Sequence, residues 1–484
     1  MSGLGAELGE SAAGPGDPLI TGVTLSSQRV LPGDLYAALR GARVHGARFA
    51  ADAVAAGAVA VLTDAAGAAL AGELGVPVLV VTEPRNVLGQ IAATVYGRPT
   101  ESMRMIGVTG TQGKTTTTRL VELALSRAGV RAGVVGTVGT RIAGADVATA
   151  LTTPEAPDLH ALFARMVEQQ VETCAMEVSS HALVLRRVDG IRFDIAVFTN
   201  LGRDHLDFHA DVEEYFAAKA ELFTPARTKR ALVNVDDEHG RRLLAEAQVP
   251  TLTFSITGRD ADWQAVDLDA GPAGTAFTLR GPNGVDVRTF VPIPGDFNVA
   301  NALAGLAAAI EVGHDAEQLA AGLAAAGGVP GRLERVDVGA DYEVVVDYAH
   351  KPDAIEAALR TLRPLASGRL ILVIGAGGDR DRGKRPLMGE ISARLADVVV
   401  VTDDNPRTEE PAAIRAEVLA GASGGLAEVR EIGERRAAIR AALDLATAGD
   451  IVVVAGKGHE TGQEINGVVH PFDDREVVRE EAGR

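Results

Sequence analysis

Lys114 stands in the run Gly110-Thr-Gln-Gly-Lys-Thr-Thr116, and these residue types in this order can cradle a triphosphate. Gly110 and Gly113 let the backbone turn so that successive N–H groups face one point. Lys114 adds a full positive charge, and Thr115 adds a hydroxyl able to ligate Mg²⁺. The strict form of the pattern asks for glycine at position 108, where Val108 stands. Context supports the reading. Met105, Ile106 and Val108 predict a strand before the loop, and the spacing of Leu120, Val121, Ala124 and Leu125 predicts a helix after it. The helix N-terminus then adds its own partial positive charge. The plain alternative is a glycine-rich turn with no ligand.

Other residues suit the same chemistry. Glu177 closes an apolar run, a costly place for a carboxylate unless it meets a cation, either Mg²⁺ shared with Thr115 or a salt-bridge partner. A helix cap would also serve. Asp204, His205, Asp207 and His209 are spaced for a turn, where a histidine binds metal or simply bonds a carboxylate. Lys219 lies among apolar residues in the amphipathic stretch Tyr215–Phe223. A desolvated lysine has a lowered pKa, and its neutral amine can take up CO₂ to become a metal-binding carbamate. The ordinary alternative is a lysine that reaches out to water. Asn405-Pro-Arg407 presents an arginine on a rigid turn, suited to a carboxylate. Arg380, Arg382, Lys384 and Arg385 form either a second anion site or a solvated loop. Of 47 basic residues only six are lysine: Lys114, Lys219, Lys229, Lys351, Lys384 and Lys457. A lysine kept against that bias marks a position where a compact charge or an amine matters.

The elements that position these residues follow from the pattern. At 484 residues the chain exceeds one core, and about three domains are expected. Pro84, Pro99 and the polar segment 97–102 mark one boundary, and Gly327–Glu334 reads as a linker. The expected domains are 1–102, with 1–17 a flexible leader rather than a signal peptide, then 103–331 and 332–484. Short apolar runs at 105–108, 132–135, 173–177, 195–199, 231–235, 343–347, 370–374, 398–402 and 451–455 alternate with helical stretches. This predicts an α/β fold with parallel sheets and ligands at the strand C-termini. Gly421–Gly425 reads as a flexible connector. A net charge of −18 argues against nucleic acid as a partner, and no apolar run is long enough to span a membrane. The lone Cys174 forms no internal disulfide, is expected to lie inert in a buried strand, and fits a cytoplasmic protein.

Taken together, Thr109-Gly-Thr-Gln-Gly-Lys-Thr115, Met176-Glu-Val-Ser-Ser-His181, Asp204-His-Leu-Asp207, Tyr215–Phe223, Gly331-Arg-Leu-Glu334, Asp347-Tyr-Ala-His350, Gly377–Arg385, Asp404-Asn-Pro-Arg407 and Gly456-Lys-Gly-His-Glu460 resemble the Mur ligases of peptidoglycan synthesis. The likeness runs from about Thr24 to Glu460. It implies a central P-loop ATP-binding domain between an N-terminal α/β domain for a UDP-linked substrate and a C-terminal Rossmann-like domain for an amino acid. It implies an ATP-dependent ligase adding meso-diaminopimelate to UDP-N-acetylmuramoyl-L-alanyl-D-glutamate through an acyl phosphate. Lys114, Glu177, His205 and Lys219 would be catalytic. Gly110, Thr111, Gln112, Gly113, Lys114, Thr115, Thr116, Asn298, Asn301, Arg332, Asp347 and His350 would bind ATP. Leu25, Ser27, Thr152, Thr153, Ser179 and Arg187 would hold the UDP-muramoyl-dipeptide. Arg380, Asp404, Asn405, Pro406, Arg407, Gly456 and Glu460 would hold diaminopimelate. Two Mg²⁺ ions are implied, one on Thr115 and Glu177 and one on His205 and a carbamylated Lys219 (N6-carboxylysine). A monomer with no nucleic-acid or membrane partner is expected.

The chain departs from the family at Gln112, usually Asn, and at Leu185, where a family Gln contacts the muramoyl-peptide. No roles carry onto Ala42-Arg-Val44. Folylpolyglutamate synthetase is a relative with a similar P-loop and modified lysine, but the N-terminal domain and Asp404–Arg407 weigh against it. A binding protein gated by nucleotide and joining nothing is the alternative outside enzymes.

Overall fold

The computed structural model describes residues 12–13, 16–41, 43–149, 151–205 and 208–483. Leu206 and Asp207 of the expected turn, Ala42 and most of the expected leader lie outside the described residues. The chain packs as two compact units. One contains residues up to 264 with 280–285 and 301–322; the other contains 265–279, 286–300 and residues from 323 onward.

The first unit holds two sheets. In the smaller, strands Gly22–Thr24, Asp34–Ala37, Ala60–Thr63 and Val78–Val80 run parallel, with Ala12–Ala13 antiparallel at the edge. In the larger, Ala132–Val135, Thr173–Glu177, Arg104–Thr109, Ile195–Phe198, Ala231–Asn234 and Thr251–Ser255 stand side by side and parallel. These strands are apolar on both faces because helices cover both. Phe163, Met166, Phe193, Phe198, Phe216 and Phe223 fill the core between layers, and burying each stabilises by about 1.5–3 kcal/mol. Cys174 is buried in the middle of this sheet, where loss of water pushes its thiol up to about 12, so it is inert as expected.

Several strands went unforeseen because their sequences lack an apolar run. Thr140–Ile142 and Ala145–Val147 extend the sheet antiparallel at its edge. Trp263–Gly271, Gly274–Arg280 and Asp286–Val291 follow Thr251–Ser255 along the chain.

In the second unit six strands line up in the order Glu334–Val336, Glu343–Asp347, Ile451–Ala455, Leu370–Ile374, Val398–Val401 and Glu428–Glu431. All are parallel except the first. A small antiparallel pair, Gly462–Ile465 with Val468–Pro471, follows. The expectation of a flexible connector at Gly421–Gly425 is corrected in part: residues 423–427 do join the helix Pro411–Ala422 to the strand Glu428–Glu431, but Gly421 and Gly425 are tightly packed. Gly421 lies inside the helix Pro411–Ala422, where a Cβ would come within 1.9 Å of the Pro386 carbonyl. A Cβ on Gly425 would come within 2.4 Å of Ala393. These glycines let the helices Lys384–Leu395 and Pro411–Ala422 approach closely. No described helix is long and apolar enough to cross a membrane.

His160, on the helix Ala156–Glu168, is fully buried and donates from Nε2 to the Asp189 carbonyl at 3.1 Å, while its Nδ1 has no hydrogen-bond partner among the described residues. Burial lowers its pKa from 6.5 to about 4. Between those values the unfolded chain binds a proton that the folded chain refuses, so this residue's contribution to stability is intact above pH 6.5 and shrinks as pH falls towards 4. The expected loss is about 3 kcal/mol over that interval. Replacing His160 with Gln removes the titration. The variant's unfolding free energy, measured by denaturant titration at several pH values, should therefore fall less steeply in acid than the parent's. Equal slopes would contradict this.

Candidate active site

The strand Arg104–Thr109 runs into Gly110, and the helix Lys114–Arg127 begins after Gly113. Gly110 has φ 148° and Gly113 φ 86°, conformations that L side chains rarely adopt. Space is as restrictive: a Cβ on Gly110 would meet Thr199 Oγ1 at 1.9 Å, and one on Gly113 would meet Asn301 Oδ1 at 2.2 Å. Asn301 is thereby brought against the loop, and Thr117 Oγ1 lies 3.4 Å from its Oδ1.

The loop after the neighbouring strand Ile195–Phe198 braces this turn. Thr199 Oγ1 donates to the Gln112 carbonyl at 2.7 Å, and Asn200 Oδ1 accepts from Gln112 N–H at 2.9 Å. Thr111 N–H donates to the Asn200 carbonyl at 2.9 Å, and Thr111 Oγ1 accepts from Gly202 N–H at 2.9 Å. Thr111 Oγ1 also meets Tyr215 Oη at 3.2 Å. The backbone of Gln112 is therefore pinned by both its N–H and its carbonyl, while the residue is exposed.

Two lysines converge on one oxygen. Lys114 Nζ donates to the Gly110 carbonyl at 2.8 Å and to that of Thr111 at 3.0 Å. Lys219 Nζ donates to the same Gly110 carbonyl at 2.9 Å and lies 4.5 Å from the centre of the Tyr215 ring. Lys219 sits on the helix Val212–Ala220, capped by Asp211, and is 1% exposed, so it does not reach out to water.

Glu177 ends its strand 1% exposed. Its carboxylate accepts from Thr137 N–H at 2.7 Å and Thr137 Oγ1 at 3.1 Å. Among the described residues it pairs with no Lys, Arg or His, and it caps no helix. A buried carboxylate satisfied only by neutral donors keeps lone pairs for a cation, the chemistry a divalent ion needs. No group of three His, Cys, Asp or Glu side chains gathers among the described residues. Any Mg²⁺ here would therefore rely on few protein ligands together with phosphates and water.

His205 sits at φ 53° with its Nε2 3.2 Å from Asp204 Oδ2. Its ring lies 4.8 Å from that of His181 and 6.0 Å from that of Tyr215, which puts His205 and Lys219 against the same tyrosine. His209 meets Ser180 Oγ at 3.0 Å.

On the substrate side, Thr152 Oγ1 meets Thr137 Oγ1 at 3.0 Å, and Thr153 Oγ1 donates to the Glu177 carbonyl at 2.8 Å. Ser179 Oγ caps the helix Ser180–Val184 by accepting from Ala182 N–H. Arg187 and Arg85 both bond Glu155, at 2.9 Å each, and Arg85 also takes the Leu185 carbonyl. Thr152, Thr153, Ser179 and Arg187 thus gather around the end of the Glu177 strand. Leu25 and Ser27 are half-buried just beyond the strand Gly22–Thr24. Sequence reasoning missed Thr137, Asn200 and Glu155 as supports; they hold the expected residues from 15 to 89 positions away and carry no local pattern.

In the second unit Asp347 accepts from Leu333 N–H at 2.7 Å and Ala349 N–H at 2.8 Å. Loss of water raises its pKa, against the pull of Arg332 and these donors. Arg332 stacks over Tyr348 at 4.6 Å. His350 bonds the Tyr348 carbonyl through Nδ1 at 2.7 Å, so Nδ1 carries the proton. Burial, helped by Lys351 and Lys384, lowers its pKa to about 3 and keeps the ring neutral. Asn298 donates to the Pro294 carbonyl at 2.8 Å.

A second cluster gathers Asp404, Asn405, Pro406, Arg407, Gly456 and Glu460. Arg407 has φ 54°, donates from Nη1 to the Gly378 carbonyl at 2.7 Å and pairs with Glu464 at 3.2 Å. Asn405 Nδ2 donates to Glu460 Oε2 at 2.9 Å. Gly456 packs on Asp404: a Cβ there would lie 3.3 Å from Oδ2. Arg380 is exposed and the structure does not join it to this cluster. Arg385 is fully buried between Glu409 and Glu417, and Arg382 pairs with Glu417, so neither serves as a free anion site.

Comparison with known proteins agrees with this geometry. Family models match three segments: Mur ligase family, catalytic domain, at 19–96; Mur ligase middle domain at 108–309; and Mur ligase, glutamate ligase domain, at 331–458. The chain is 55% identical to the UDP-N-acetylmuramoyl-L-alanyl-D-glutamate–2,6-diaminopimelate ligase of Streptomyces avermitilis over 96% of this chain and 92% of that one. It is 54% identical to the ligase of the same name from Streptomyces coelicolor, over 97% and 94%. A solved structure of a ligase of that name matches with TM-score 0.68 at 38% identity, covering 96% of this chain and 95% of that one. A Mycobacterium tuberculosis folylpolyglutamate synthase bound to ADP matches with TM-score 0.64 at 22% identity, over 78% and 92%, a likeness of fold alone.

Proposed function

The chain belongs to the Mur ligase family, and on that premise we propose that it joins meso-diaminopimelate to UDP-N-acetylmuramoyl-L-alanyl-D-glutamate at the expense of ATP. The observation that carries the ligase reading is the P-loop on which Lys114 and Lys219 converge, with a buried carboxylate, Glu177, that pairs with no cation among the described residues. Full-length identity to the named ligases supports the choice of substrates.

The chemistry requires two anions to meet. The D-glutamyl carboxylate attacks the γ-phosphorus of ATP, and ADP leaves, giving an acyl phosphate. Lys114 and the N–H groups at the start of the helix Lys114–Arg127 neutralise the phosphate oxygens and screen the repulsion. An amine of diaminopimelate then attacks the acyl carbon, phosphate leaves and an amide forms. Thr115 and Glu177 would hold one Mg²⁺, and His205 with a modified Lys219 a second. Such ions supply further positive charge to the phosphates when bound. Thr152, Thr153, Ser179 and Arg187 would place the muramoyl-peptide, with Leu25 and Ser27 on the uridine side. Asn298, Asn301, Arg332, Asp347 and His350 would contact the nucleotide. We place the enzyme in the cytoplasm.

Lys219 as an ammonium cannot ligate a metal. Both lysines lie within 3 Å of the Gly110 oxygen, so their charges are no more than about 6 Å apart. Their repulsion is about 3 kcal/mol at an effective dielectric constant of 20, which favours loss of a proton from the buried one. The neutral amine then adds to CO₂, forming an N–C bond and releasing a proton, and the product is a carboxylate.

The acidic pair Asp404 and Glu460 beside Arg407 suits a zwitterionic end group. Lysine lacks the distal carboxylate that Arg407 would take, so kcat/KM for meso-diaminopimelate should exceed that for lysine by a hundredfold or more, about 3 kcal/mol. Phosphate release measured with the UDP-muramoyl-dipeptide, ATP, Mg²⁺ and either amino acid tests this. Equal turnover would refute the substrate choice, and ATP-dependent binding with no product would refute the ligase reading. Lys219→Ala should lose most activity and recover part of it with added short carboxylates. Full activity without rescue would remove the carbamate.

A further inference from the structure

Of the six lysines, Lys457 has no role in the chemistry above, yet it is completely buried. Its ammonium sits 2.9 Å from Asn405 Oδ1 and 3.4 Å from both Asp404 Oδ1 and Glu460 Oε2. Asn405 Oδ1 also accepts from Glu464 N–H at 2.9 Å. With its oxygen fixed by two donors, the amide must turn its Nδ2 outward to Glu460, at 2.9 Å. Glu464 in turn accepts from Arg407 N–H at 3.0 Å and pairs with the Arg407 guanidinium. One ammonium therefore begins a chain of contacts that reaches every charged group of the Asp404–Arg407 cluster.

We propose that Lys457 is a positioning residue for the amino-acid substrate: it fixes the Asn405 amide and offsets the Asp404 and Glu460 carboxylates, so that the cluster fits a group carrying both an ammonium and a carboxylate. This rests on the ligase reading above. Without Lys457 the two carboxylates repel and the amide oxygen keeps one of its two donors, Glu464 N–H, which presents a less ordered site with excess negative charge. The loss falls on the amino acid, because among the described residues the Lys457 ammonium bonds only Asp404, Asn405 and Glu460, all assigned to it.

The test uses the full chain with Lys457→Met, which keeps the length of the side chain and removes its charge, and Lys457→Gln, which can still donate to Asn405. Phosphate release is measured while each substrate is varied. The expected result is a KM for diaminopimelate raised about tenfold in Lys457→Met and less in Lys457→Gln. The KM values for ATP and the UDP-muramoyl-dipeptide should stay within twofold of the parent. Combining Lys457→Met with Asn405→Ala should add little to either single change, because both remove one contact chain. An unchanged KM for diaminopimelate, equal losses for all three substrates, multiplicative effects in the double variant, or unfolding of both single variants would overturn the proposal. A parent chain that releases no phosphate with diaminopimelate would instead fault the ligase reading.

Discussion

A single backbone oxygen, that of Gly110, receives two ammonium groups, and the site of the first unit is organised by that convergence. Two ammonium groups this close repel each other, which favours loss of a proton from the buried Lys219. Lys114 keeps its charge for an anion in the turn. The loop can hold this arrangement only because its backbone is over-determined. Thr199, Asn200 and Tyr215 each bond it, and Asn301 packs against Gly113. A looser loop would let the two side chains separate and would misplace the Lys114 charge that the proposed reaction sets against a triphosphate.

The second unit solves a different electrostatic problem with similar means. Its parallel sheet ends in loops where charged residues are too crowded to be independent. Arg435 is fully buried and binds both oxygens of Asp474, while also donating to the Ala455 carbonyl. Arg385 does the same work for Glu409 and Glu417 and holds the Gly377 carbonyl. Arg435 also reaches the Asp403 carbonyl at 3.4 Å, so it touches the residues just before Asp404 and Gly456, and Arg385 holds Glu409, two residues beyond Arg407. Removing one partner of such a pair leaves a buried charge and typically costs about 3–5 kcal/mol. Rigid supports of this kind let Arg407 persist at φ 54°, a conformation that a bulky residue adopts at a penalty.

Much of this was readable from the sequence because the signals were local. Strand, glycine turn, lysine and helix follow one another within 24 residues at Arg104–Arg127, and the runs Thr173–Glu177, Leu370–Ile374 and Ile451–Ala455 are apolar without interruption. What stayed hidden was either polar or distant. Trp263–Gly271 carries Asp267 and Asp269 on exposed positions, and Glu428–Glu431 is a charged edge strand, so neither resembles a buried strand. Thr137 lies 40 residues from the carboxylate it holds, and Lys457 lies 52 from Asn405. Gly421 and Gly425 have the composition of a linker but serve close helix packing, a distinction that composition does not make. The scarcity of lysine did point to Lys457 without saying what it touches.

The central step of the proposed reaction is transfer of a phosphoryl group to the substrate carboxylate at the Lys114 loop. The most direct measurement is oxygen transfer. The D-glutamyl carboxylate of the UDP-muramoyl-dipeptide is labelled with ¹⁸O, the reaction is run with ATP and diaminopimelate, and the released phosphate is analysed by mass spectrometry. An acyl phosphate leaves one labelled oxygen in the phosphate for each amide formed. Phosphate free of label, with amide still produced, would contradict the account.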